Sequence, residues 1–104
     1  MKQTQVIQRI KELGQQILPE GASLWLYGSR ARGEARPDSD YDMLILLDKY
    51  EITIKDFGYS HSFFWDGRKV GEEVNAHIYT KSDWNKWTCA PFNENVEEDK
   101  VVLI

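Results

Sequence analysis

The chain has 104 residues, room for one core and none for a second substrate-binding domain, so a single domain over residues 1–104 is expected. A hydrophobic share of 41% and an aromatic share of 12% exclude intrinsic disorder, and a formal net charge of −4 argues against a nucleic-acid binder, which needs a basic face. The single cysteine, Cys89, has no partner for an internal disulfide and reads as a small apolar residue; no run is long enough to span a membrane and the N-terminus lacks a signal-peptide core, so a cytoplasmic protein with no membrane partner is expected.

Val6, Ile10, Leu13 and Ile17 recur at helical spacing and predict an amphipathic helix over about residues 3–18, stopped by Pro19 and Gly21. Ala22 to Tyr27 is a short apolar run that reads as a strand, broken by Gly28-Ser29. A short helix is expected within Arg30 to Ala35, then a turn at Pro37-Asp38-Ser39. Asp42 to Asp48 is nearly all apolar, the pattern of a strand covered on both faces.

Thr53 is placed to cap a second helix over about 54–69, with Ile54, Phe57, His61 and Phe64 on one face, although Gly58 and Gly67 weaken that pattern; His61 reads as a packing residue. Val74 to Thr80 reads as a third strand. Ser82 is expected to cap a helix carrying Trp84 and Trp87, Pro91 to end it, and Val101 to Ile104 to form a terminal strand. Helices alternating with strands imply an α/β fold, a small sheet covered by helices.

Within about sixteen residues three features follow one another: Gly28-Ser29 directly after a strand, the basic segment Arg30-Ala31-Arg32-Gly33, and Ser39-Asp40-Tyr41-Asp42 opening the next strand. A glycine after a strand lets the backbone turn sharply and come close to a ligand. The N–H groups that follow favour phosphate, the Ser29 hydroxyl can donate to a phosphate oxygen, and Arg30 or Arg32 can neutralise triphosphate charge. Asp40 and Asp42, two apart on a strand, face the same way with Cα atoms about 6–7 Å apart, a spacing at which two carboxylates can share hard cations such as magnesium together with substrate phosphates. Each feature alone is commonplace; the ordered combination is specific. A P-loop, a dinucleotide fingerprint, a nucleophile elbow and zinc-ligand spacing are all missing from the sequence.

This order of residues, Gly28-Ser29-Arg30-Ala31-Arg32-Gly33 followed by Ser39-Asp40-Tyr41-Asp42-Met43-Leu44, resembles the signature of the minimal nucleotidyltransferases, small members of the DNA polymerase β superfamily. The resemblance covers most of the chain. It implies a polymerase β-like nucleotidyltransferase fold, with Gly28 and Ser29 holding a triphosphate, Arg32 assisting, and Asp40 and Asp42 binding Mg2+ with ATP or another NTP. It further implies a protein partner, since such domains commonly act as the antitoxin of a helical HEPN-domain toxin, some by transferring AMP to it.

The sequence departs from that pattern on the third strand, where the family places a third carboxylate and this chain has Asn75. A neutral amide is a weaker ligand and cannot act as a base. Strand parity puts Glu73 and His77 on the same face as Asn75, so either is a candidate to compensate. Two functions are therefore expected to compete: transfer of a nucleotide to a partner protein, and neutralisation of a partner by contact with nucleotide binding retained. Among Trp84, Trp87 and Phe92, at least one is expected to be exposed and to anchor that partner.

Overall fold

The computed structural model describes residues 1–87 and 89–104. Its elements in chain order are α1 (Gln3–Ile17), β1 (Ser23–Tyr27), α2 (Ser29–Arg32), β2 (Tyr41–Leu47), a 3-10 turn (Ile54–Asp56), α3 (Phe57–Lys69), β3 (Val74–Thr80), α4 (Lys81–Lys86), α5 (Pro91–Asp99) and β4 (Val101–Val102). The strands form one mixed sheet in the order β3-β2-β1-β4, with β1 antiparallel to β2 and β4, and β2 parallel to β3.

The alternation of side chains sorts the sheet into two faces. Leu24, Leu26, Tyr41, Met43, Ile45, Leu47 and Val74 face one way and close a core with Val6 and Ile10 of α1 and Phe63 of α3. Trp25, Leu44 and Leu46 face the other way, under Trp84 of α4 and Val96 of α5. β2 is thus buried on both sides at every position but Asp42, which explains its unbroken apolar run. Among the described residues, no helix is long and apolar enough to cross a membrane.

Three expectations are corrected. The buried side of α3 is that of Phe63 and Gly67; Ile54, Phe57 and His61 are exposed, because the helix proper starts at Phe57 and its phase is set by contact with β3. The helix after β3 is capped by Thr80, whose hydroxyl accepts the Asp83 N–H at 3.0 Å, and not by Ser82. Pro91 does not end that helix but opens a second one, α5, the position where a missing N–H costs nothing.

The two glycines of α3 make opposite demands. A Cβ on Gly58 would meet nothing within 4 Å, whereas on Gly67 it would lie 2.6 Å from Val74 Cγ2 and 3.0 Å from the Glu72 carbonyl oxygen. Gly58→Ala is expected to stabilise the fold by about 0.5–1 kcal/mol through helix propensity, and Gly67→Ala to destabilise it despite the same propensity gain. Urea denaturation of the two variants checks the sign of each.

Candidate active site

The candidate residues lie at the open end of the sheet, on the face that α4 and α5 cover further along. Register places Tyr27, Asp42 and Asn75 side by side across β1, β2 and β3. One side-chain repeat before them come Asp40 and Glu73, and one repeat after them Trp25, Leu44 and His77. The face therefore grades from acidic at the edge to aromatic under α5.

Gly28 turns the chain from β1 into α2 with φ 75° and ψ −160°, a conformation that excludes side chains. It also leaves no space for one, because a Cβ would lie 2.7 Å from Asp42 Oδ2. The backbone of the Gly-Ser turn and the Asp42 carboxylate are thus in direct apposition. Ser29 opens α2, where the Ala31 and Arg32 N–H groups donate to the Gly28 carbonyl and, by helix geometry, those of Ser29 and Arg30 have no acceptor within the helix.

The two arginines part company. Arg30 is buried, and its guanidinium donates to the Ser39 carbonyl (Nη2 2.8 Å, Nε 3.2 Å), the Pro37 carbonyl (3.3 Å) and Gln3 Oε1 (3.1 Å) while stacking 4.3 Å above the Tyr41 ring. With these donors engaged by the protein, Arg30 braces the turn that delivers Asp40, which favours Arg32 over Arg30 as the candidate phosphate ligand. Arg32 is half exposed, and its Nη1 donates to Asp99 Oδ2 of α5 at 2.6 Å and its Nε to Glu34 Oε2 at 3.2 Å. It is close enough to Asp42 to favour that residue's charged form.

Electrostatic tension is concentrated on the carboxylates. Burial pushes the Asp42 carboxyl above its usual range, the neighbouring Asp40 adds to this, and His77 and Arg32 oppose it. Glu73 is held above the usual range first by its hydrogen bond with Asp40 and then by the charges of Asp40 and Asp42. Burial and the charge of Asp42 push the Tyr27 phenol up to about 12. Asn75 Nδ2 donates to Asp40 Oδ2 at 3.3 Å. Like charges gathered this closely hold one another's proton affinity up. Among the described residues no group of three or more His, Cys, Asp or Glu side chains is placed to hold a metal ion by itself. Asp40 and Asp42 are the two carboxylates that would contribute to a magnesium ion, whose other oxygens would come from water and phosphate.

The sequence profile of the nucleotidyltransferase domain family matches residues 4–103. The chain belongs to that family. A crystal structure of a proposed nucleotidyltransferase from Sulfolobus solfataricus is similar to this nucleotidyltransferase domain with a TM-score of 0.62 at 20% identity, over 96% of this chain and 80% of that one. A toxin–antitoxin structure with AMP-PNP is similar with a TM-score of 0.67 at 15% identity, over 94% and 72% of the two chains. At these identities the likeness is one of fold. No curated protein matches by sequence.

Some residues of the nucleotidyltransferase site were not legible in the sequence. Asp99 lies 67 residues from Arg32 and nothing local announces their pairing. Arg68 joins Asp40 and Glu73 in lining a groove of about 500 Å³, again through the fold alone. His61, read as packing, instead lines a second groove of about 370 Å³ with Asp42, Asn75, Phe64 and His77. Of the three C-terminal aromatics, Trp84 is buried while Trp87 and Phe92 are exposed.

The contrast between the arginines is measurable. Arg30→Ala removes a buried guanidinium and strands its acceptors, and is expected to lower stability by about 2 kcal/mol or more. Arg32→Ala breaks exposed pairs, is expected to cost at most about 1 kcal/mol of stability, and should weaken triphosphate binding. Thermal unfolding and calorimetry with Mg·ATP, run on both variants, separate the two roles.

Proposed function

We propose that this domain binds an Mg2+-complexed nucleoside triphosphate, ATP or another NTP, over the surface that the Gly28-Ser29 turn and the Asp40–Asp42 pair form together, and transfers the nucleoside monophosphate to a hydroxyl of a partner protein. The observation that carries this reading is the apposition of Gly28 and Asp42: the phosphate turn and the metal carboxylate meet with no side chain between them. In the proposed role the ion neutralises charge on the triphosphate. The Ser29 hydroxyl and Arg32 bind its outer phosphates, Arg32 exchanging its contact with Asp99 for one with ligand. The acceptor oxygen forms the new bond to the α-phosphorus, the bond from that phosphorus to the β-phosphate oxygen breaks, and pyrophosphate leaves.

Glu73 takes the hydroxyl proton in this reaction. It is exposed, lies one repeat from Asn75 on the same face, and its raised proton affinity suits a base. Asn75 then serves a different purpose, since its amide holds Asp40 in place. The net negative charge and the likeness of fold to a component of a toxin–antitoxin structure support a protein acceptor, and we take that acceptor to be a helical HEPN-type toxin in the cytoplasm. One observation favours a second reading, in which the domain neutralises its partner by contact alone: the position of the family's third carboxylate holds an amide.

Incubation of the domain, Mg2+ and α-32P-ATP with the product of the neighbouring reading frame decides between them. Label should pass to that protein, vanish in Asp40→Ala and Asp42→Ala, and fall about 10²–10⁴-fold in Glu73→Ala. Neutralisation of the partner without any labelling would leave the contact reading in place.

A further inference from the structure

The acidic edge of the site passes directly into an aromatic surface that the transfer reaction as described does not use. Phe92, in the first turn of α5, stands at the boundary. Its ring centroid lies 5.7 Å from that of Tyr27, 6.3 Å from His77 and 6.4 Å from Tyr79, and 6.0 Å from Trp84 behind it. Tyr27 is the direct cross-strand neighbour of Asp42, and His77 lies one repeat beyond Asn75, so Phe92 overlies the step from the carboxylate row to the next. Trp84 is buried by this packing, but Phe92 remains 39% exposed, Tyr79 36% exposed, and His77 exposed as well.

The direction of the reaction limits what can lie there. The phosphate turn is at the end of β1 and the carboxylates at the start of β2. Entering and leaving oxygens sit on opposite sides of the phosphorus in line with one another. With the leaving pyrophosphate on the β1 side, the acceptor comes across β3, past Glu73 and Asn75. The nucleoside hangs from a bond outside that line, and of the directions left to it, the one along the sheet face meets an aromatic surface continuous with the site.

Resting on the triphosphate reading above, we infer that Phe92, flanked by Tyr27 and His77, is the nucleobase platform of this domain. The part of the Phe92 ring left open among these neighbours is aromatic surface for a base to stack on, and stacking accepts any base because every base has a π-face. The platform therefore supplies affinity and places the α-phosphate at Asp42, with larger purines gaining more than pyrimidines. It also gives α5 a role beyond covering the sheet, as Phe92 at its start meets the base while Asp99 at its end meets Arg32.

Calorimetry with the full chain tests this, using Mg2+ with ATP and Mg2+ with ribose 5-triphosphate, which carries the same phosphates but no base. Wild type should bind ATP about tenfold or more tightly than ribose 5-triphosphate. Phe92→Leu should erase that difference and leave ribose 5-triphosphate binding unchanged, and Phe92→Trp should restore it. Equal loss for both ligands, or no loss for either, overturns the platform. If Phe92→Leu does not fold, the wild-type comparison decides, and equal affinity for the two ligands overturns the proposal. Wild-type binding of ribose 5-triphosphate with no benefit from the base removes the platform alone, whereas failure of both ligands to bind removes the triphosphate reading and the platform with it.

Discussion

The site depends on one close approach: the backbone of Gly28 against the carboxylate of Asp42. It follows from the antiparallel register of β1 and β2, which pairs Tyr27 with Asp42 and so sets the turn after β1 beside the start of β2. The register is fixed by burial. Six of the seven residues of β2 are buried, so a slip of one position would turn Asp42 into the core under α1 and α3 and take Met43 and Ile45 out of it. The core on one face and the aromatic layer on the other thus hold an arrangement of like charges that would not gather unaided.

The strain of that arrangement is visible in the proton affinities of Asp42 and Glu73, both raised, and in the devices that surround them. Arg30 is engaged in tying the 37–39 turn to Gln3 of α1, and Asn75 lends its amide to Asp40. Neither contact neutralises the pair. Arg32 and His77 offset the charge of Asp42 only in part, since its proton affinity stays raised, and that residual charge at the end of the sheet is what motivates the binding-site proposal.

The helix at the N-terminus, the three main strands and the Gly-Ser and Asp-x-Asp segments were legible because each is a local pattern: helical spacing of Val6 and Ile10, a continuous apolar run after Asp42, punctuation at Gly28. What the sequence could not convey arises from packing between distant segments. Phe63 and not Phe64 points into the core because β3 sets the phase of α3. Arg30 and Arg32 are indistinguishable as letters, and only the fold turns one inward to Ser39 and leaves the other at the surface with Asp99. Pro91 reads as an end in one dimension and acts as a beginning in three. The resemblance to the minimal nucleotidyltransferases anticipated the family, while the ligand, the acceptor and the roles of individual site residues are proposals that the geometry motivates.

The central claim is that the Gly28-Ser29 turn and the Asp40–Asp42 pair form one metal–triphosphate site. Paramagnetic broadening in 1H–15N spectra, with Mn2+ in place of Mg2+ and ATP present, tests it most directly. The account predicts that broadening is centred on Gly28, Ser29, Asp40 and Asp42, spreads to Glu73 and Asn75, and disappears in Asp42→Ala. Broadening centred elsewhere on the surface, or unchanged in that variant, would contradict it.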